Sequence, residues 1–234
     1  MPTFDIVKNI NFNNTFRNKS IVDNYDLSDI KFEERFKGNI DIENKDWKIG
    51  LIVGGSGTGK TTIAKEIFDY NEENNHIFGN ESIIDEMPKD KSVNEIVKMF
   101  VSVGLGSTPS YLKPYGVLSN GEKMRVELAY HLLSDEDLIV FDEFTSVVDR
   151  TVAKTTSYAT QKSIRKNDSN KKFIAISCHY DIIDWLEPDW VYDTGSGNFF
   201  IKKNIKDQKL NLKSLGLMEN LVQKYGKCLK VITI

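Results

Sequence analysis

The run "KIGLIVGGSGTGKTTIAKEIFDY", residues 48–70, admits few folds. Its first part, "KIGLIVGG", is a continuous apolar run closing in glycines, the pattern of a strand buried on both faces. Its last part, "KTTIAKEIFDY", reads as a helix. Between them "GGSGTGKT", residues 54–61, fits G-x-x-x-x-G-K-[ST], and the strand-loop-helix context is the one that gives this spacing its meaning. Gly54, Gly57 and Gly59 let the backbone wrap closely with its N–H groups turned inward, and the helix start adds the positive end of its dipole. Lys60 then reaches the β- and γ-phosphates, and Thr61 offers a hydroxyl to Mg²⁺. The chain is therefore expected to bind a nucleoside triphosphate, ATP, with Mg²⁺. The expected contacts are Gly54, Gly55, Ser56, Gly57, Thr58, Gly59, Lys60, Thr61 and Thr62.

Strands alternating with helices continue downstream: "LIVFDEF", "TVAKTTSYATQKSIRK", "KFIAIS", "DIIDWL", "WVYDT" and "NFFIKK". This order predicts an α/β fold, a P-loop NTPase with a mainly parallel sheet and flanking helices. Residues 1–50 alternate in short pieces ("FDIVKNI", "SIVDNYDL", "NIDIEN") and predict an antiparallel β part. Residues 71–133 predict a reduced helical part: an irregular polar stretch to 91, then a helix from "SVNEIVKMFVSVGL" with Ser92 as cap and Glu95 three residues on. A basic tail spans 201–234, and one domain covers residues 1–234.

Two further residue sets carry chemistry. Asp142 and Glu143 end the apolar run "LIVF". Asp142 can hold Mg²⁺ through water, and Glu143, one residue further out, can polarise an attacking water. His179 follows "KFIAIS"; since a parallel sheet collects strand C-termini along one edge, His179, Asp142 and the glycine loop are expected to share a crevice. Glu143, His179 and Lys60 are the expected catalytic residues, with Thr61 and Asp142 at the metal.

A second helix start, "GVLSNGEKMRVELAYHLL" at residues 116–133, has the makings of another anion site. With it in view, the chain resembles the ATP-binding cassette (ABC) ATPase superfamily. "LSNGE", residues 118–122, is similar to that family's signature loop, usually LSGGQ, "SVVD", residues 146–149, to its D-loop, and His179 falls at its switch histidine. The five elements keep the family's order from residue 54 to residue 179. The resemblance implies that the signature loop of one subunit packs on ATP held by its partner. Ser119, Gly121 and Asp149 then join the nucleotide contacts in trans, and ATP joins a symmetric homodimer.

The chain also departs from the family pattern. No glutamine occurs between Thr62 and Leu118, where the family has one near Mg²⁺; Asn80, Glu81 and Asp85 are the candidate substitutes. Asn120 replaces the second signature glycine, its tolerance of left-handed angles expected to preserve the loop, and Glu122 replaces glutamine. Tyr25, Phe32 and Phe36 are candidates for stacking on adenine.

Composition enters through partners. No stretch nears the roughly 18 apolar residues of a membrane span, and the first residues lack a secretory layout, so a cytoplasmic location is expected. Cys178 and Cys228 are expected as free thiols. The net charge is −3, yet residues 201–234 hold eight lysines against Asp207 and Glu219, so a basic tail follows an acidic body. The leading expectation is a stand-alone ATPase that dimerises on ATP and acts on a macromolecule, nucleic acid favoured over a membrane subunit. Alternatives are a phosphotransferase acting on a hydroxyl of a small molecule or modified DNA base, and the ATPase subunit of a transporter.

Overall fold

In chain order the elements are β1 (Thr3–Asn9), α1 (Phe16–Asn24), β2 (Glu33–Asn39), β3 (Ile49–Val53), α2 (Lys60–Phe68), α3 (Val93–Ser102) and α4 (Thr108–Tyr111). They continue with α5 (Asn120–Leu133), β4 (Leu138–Phe141), α6 (Arg150–Lys166), β5 (Lys172–Ser177), α7 (Ile182–Leu186), β6 (Trp190–Asp193) and β7 (Asn198–Ile201). The structure, a computed structural model, describes residues 3–9, 13, 15–25, 33–71, 76–166 and 170–202. Phe32, Cys228 and all of the basic tail except Ile201 and Lys202 lie outside the described residues.

The main sheet has the order β4-β5-β3-β6-β7, parallel throughout except for the β6–β7 pair. This is the P-loop NTPase arrangement predicted from the sequence, with the cradle strand β3 in the centre. Every residue of β3 is buried, and successive side chains go to opposite faces. Ile49, Leu51 and Val53 join Phe173, Ala175 and Val191 in one core, which α3, α5 and α7 cover. Ile52 joins Ile174, Ile176, Trp190 and Tyr192 in the other, against α2 and the β1–β2 pair. A sheet covered on both faces needs apolar residues at every position, which is why these strands read as unbroken runs.

The N-terminal part differs from its sequence reading. β1 and β2 do pair antiparallel, from Thr3↔Asn39 to Asn9↔Glu33. Between them, however, "SIVDNYDL" is not a strand: residues through Asn24 belong to α1, whose start is capped by the Thr15 hydroxyl accepting from Asn18 N at 3.2 Å. No residue of α1 is buried, so its apolar residues answer to no core and their alternation carries no structural information. "NIDIEN" leaves the ladder after Asn39, turning where Ile42 N donates to Ile40 O and again at Asn44, whose φ is 56°. The α3 capping box, by contrast, forms as read, with Ser92 and Glu95 bonded reciprocally.

Gly50 is required by packing. A methyl group there would run into the indole of Trp190, which also sits 5.6 Å from Trp47 and 6.0 Å from Phe68. Gly50→Ala is expected to destabilise the protein by about 1–3 kcal/mol through overpacking, read as a lowered urea midpoint at unchanged slope.

Candidate functional site

At the C-terminal edge of the parallel strands, β3 passes into the glycine loop. Gly54 has φ 156°, and a side chain there would collide with the Thr194 hydroxyl beyond β6. Gly59 takes φ 80° and abuts the ring of Phe36 from β2. Ser56 and Gly57 form the exposed tip. Thr194 fastens the loop: its N donates to Val53 O at 2.8 Å, and its hydroxyl lies 2.5 Å from that of Thr58.

Lys60 is 8% exposed, and its ammonium donates to Gly54 O at 2.9 Å and Gly55 O at 2.7 Å. The charge is thus held against the carbonyls at the start of the glycine loop. Thr61 donates to the Asp142 carboxylate at 2.7 Å, joining the first turn of α2 to the end of β4 across β5. The other Asp142 oxygen accepts from Glu143 N at 2.8 Å. Thr62 lies beside Thr61 in the same turn.

Glu143 is exposed with φ 50°, and Thr145 is fully buried with φ 65°. A β-branched residue rarely adopts this conformation, and the buried Thr145 hydroxyl oxygen has no hydrogen-bond partner among the described residues. Phe144 between them is anchored by its N donating to Ile176 O at 2.8 Å. His179 is half-buried beyond β5, its N donating to Ser177 Oγ at 3.2 Å. Hydrogen bonding to His179 draws the Cys178 thiol below its usual pKa, while burial opposes that shift.

Ser119, Gly121 and Asp149 form a second group in the same chain. Ser119 is the N-cap of α5, so Asn120 and Gly121 are its first turn rather than loop, and Asn120 needs no left-handed angle. The Ser119 hydroxyl donates to Glu122 Oε2 at 2.7 Å, and Ser119 N donates to the same oxygen at 3.0 Å. With Ser110 Oγ donating to its other oxygen at 2.7 Å, Glu122 is held down at a pKa of about 2. A side chain at Gly121 would come within 3.4 Å of Val148, so the signature-like turn abuts the 146–149 loop. Asp149 caps α6, accepting from Thr151 N at 2.9 Å and Val152 N at 3.0 Å. Arg150 next to it forms a bidentate pair with Asp181, tying this loop to the segment after His179.

Of the aromatic candidates, Phe36 touches the glycine loop, whereas Tyr25 is 69% exposed at the end of α1. Of the glutamine substitutes, Asp85 accepts from Ser82 Oγ and Glu81 N donates to Glu86 at 3.1 Å. Neither they nor Asn80 line the small cavity of about 110 Å³ that reaches Asp142. His76 does, stacked 4.1 Å from Tyr130, with burial lowering its pKa against the opposing charge of Glu86. Sequence reading missed His76, Thr194 and Arg150. The end of "WVYDT" at the shared strand edge was the available signal for Thr194.

No family model matches the sequence. ABC transporter G family member 20 of Dictyostelium discoideum is 25% identical over 213 residues, covering 70% of this chain and 28% of that protein. The chain thus spans under a third of that relative's length. Among solved structures, a dimeric post-hydrolysis ATP-binding cassette bound to ADP and Pi superposes with TM-score 0.58 at 12% identity, covering 86% of this chain and 97% of that one. A bacterial Atm1-family ABC exporter with ATP bound gives TM-score 0.56 at 17% identity over 81% of this chain and 38% of the exporter chain. The chain shares the fold of these cassettes.

The α5 cap generates two expectations. Ser119→Ala should cost about 1 kcal/mol of stability by chemical denaturation. Because the folded-state pKa of Glu122 is depressed, its stabilising contribution is complete above about 4.5 and is lost as pH falls towards 2. The gap in urea midpoint between the parent and Glu122→Gln should accordingly close over that window.

Proposed function

We propose that this chain is an ABC-type ATPase that binds and hydrolyses Mg-ATP and dimerises around it. The observation that supports this most is the Thr61–Asp142 hydrogen bond beside Lys60, which brings the two expected metal-side oxygen donors together. The residues fit Mg-ATP: a side chain at Gly54 would disturb the cradle wall, Lys60 offers an ammonium that donates to the loop carbonyls of Gly54 and Gly55, and a hydroxyl with a carboxylate suits a hard cation that keeps waters and phosphate oxygens. Thr61 and Asp142 would hold Mg²⁺, which supplies neutralisation of charge on the phosphate oxygens.

In this reading Lys60 and the amides of residues 54–62 orient the triphosphate. Glu143 accepts a proton from the water that attacks the γ-phosphate, and His179 donates a hydrogen bond to that phosphate. Ser119 and Gly121 of one copy cover the nucleotide of another, the Ser119 hydroxyl turning from Glu122 to the phosphate, with Asp149 nearby. Loss of the γ-phosphate then releases the partner. Phe36 packs on adenine, and His76 takes the place of the absent glutamine beside Asp142.

The target is a macromolecule. Nucleic acid is suggested by the lysines of residues 201–234 alone. The second reading, the ATPase portion of a transporter, is favoured by the names of the relatives. No helix among the described residues is long and apolar enough to cross a membrane, so this reading requires a separate spanning segment or partner. Copurification of a membrane protein would decide for it.

Glu143→Gln with Mg-ATP is expected to form a dimer by light scattering while turnover falls at least a hundredfold; protein that stays monomeric at all concentrations would remove the switch. Label from γ-phosphate should be released as free phosphate, whereas label retained on a hydroxyl acceptor would establish phosphotransfer instead.

A further inference from the structure

Beside the nucleotide site one guanidinium joins three segments. Arg150 opens α6, immediately after the 146–149 loop. Its Nε donates to Asp181 Oδ2 at 2.8 Å and its Nη2 to Asp181 Oδ1, a two-bond fork. The same guanidinium lies 5.3 Å over the Trp185 ring of α7, so two residues of the segment after His179 hold it. Its Nη1 donates to Thr145 O at 3.4 Å, a contact on the turn that carries Glu143.

Both segments that it joins require restraint. Glu143 and Thr145 have φ of 50° and 65°, and L-residues stay in that region only where their surroundings over-determine it. His179 lies between two anchors: Tyr180, whose hydroxyl donates to Asp193 Oδ1 at 2.8 Å, and Cys178, whose sulfur is 3.6 Å from Ser146 Oγ. Ser146 N donates in turn to Glu143 O at 3.0 Å. Two short routes therefore link Glu143 to His179, one through Ser146 and Cys178, the other through Thr145, Arg150 and Asp181. The second contains the stiffer link, since a planar charged fork on a carboxylate fixes direction as well as distance and a hydroxyl–thiol contact does not.

A half-exposed ion pair contributes little to stability, which leaves geometry as its main consequence here. We propose that Arg150 is a positioning residue for hydrolysis: it fixes the Glu143 turn and His179 in one mutual geometry and passes any shift of the 146–149 loop to both. The kinetic part of this inference rests on the ATPase reading above, and the geometric part does not.

Cys178 reports the geometry. Hydrogen bonding to His179 is the main cause that lowers its pKa, Ser146 adds to it, and burial and Glu143 oppose it. In the full chain carrying Cys228→Ser, the pH midpoint of Cys178 alkylation by iodoacetamide should rise in both Arg150→Gln and Asp181→Ala. With Mg-ATP, kcat should fall about tenfold or more in each while KM stays within about twofold, since alignment is lost and binding is not. The double variant should be little worse than either single one, as expected of partners in one contact. Arg150→Lys keeps the charge without the fork; it should match Arg150→Gln, and it replaces that variant should the glutamine form not fold. An unmoved alkylation midpoint, an unmoved kcat, additive losses in the double variant or a full rate in Arg150→Lys each overturn the proposal. A parent chain that turns over no ATP removes the hydrolytic reading instead, and the alkylation midpoints still decide whether Arg150 sets the geometry.

Discussion

A single hydrogen bond, from the Thr61 hydroxyl to the Asp142 carboxylate, joins the first turn of α2 to the end of β4. These residues are 81 positions apart, and β5 lies between their strands, so the bond depends on the register of three parallel strands. That register in turn depends on side chains alternating between two cores, since a slip by one residue would exchange the faces. Packing on both sides of the sheet is thus what brings a hydroxyl and a carboxylate within reach of one ion.

The helix starts divide the labour of handling anions. α1, α3 and α5 begin with a hydroxyl cap, α6 with the Asp149 carboxylate, and α3 and α5 add an internal glutamate. α2 begins at Gly59, with no side-chain cap and no acid in its first turn. The positive end of its dipole is thus not offset by a side chain of its first turn, whereas α5 holds Glu122 there. The two loops that look alike as glycine-bearing helix starts therefore differ in charge: the start of α2 carries no acid of its own, and the start of α5 carries Glu122.

The strand-loop-helix at residues 48–70, the Ser92–Glu95 capping box and the parallel sheet were legible because each rests on local chemistry or an unbroken apolar run. α1 was not, since its alternation of Ser20, Ile21 and Val22 faces no core and periodicity there has nothing to report. Thr194, Phe36 and His76 reach the site from elements remote in sequence, and no spacing rule connects them. Asp142 was legible despite its distance from Thr61 because an unbroken apolar run carries it to the shared strand edge, whereas His76 sits in no such run.

Glu143 and Thr145 remain in a backbone region that costs an L-residue about 1–2 kcal/mol, and neither is glycine. A glycine at 143 would relax the turn and remove the carboxylate together. Conformational ease and negative charge at position 143 therefore exclude one another, because the residue that would sit there without strain carries no side chain.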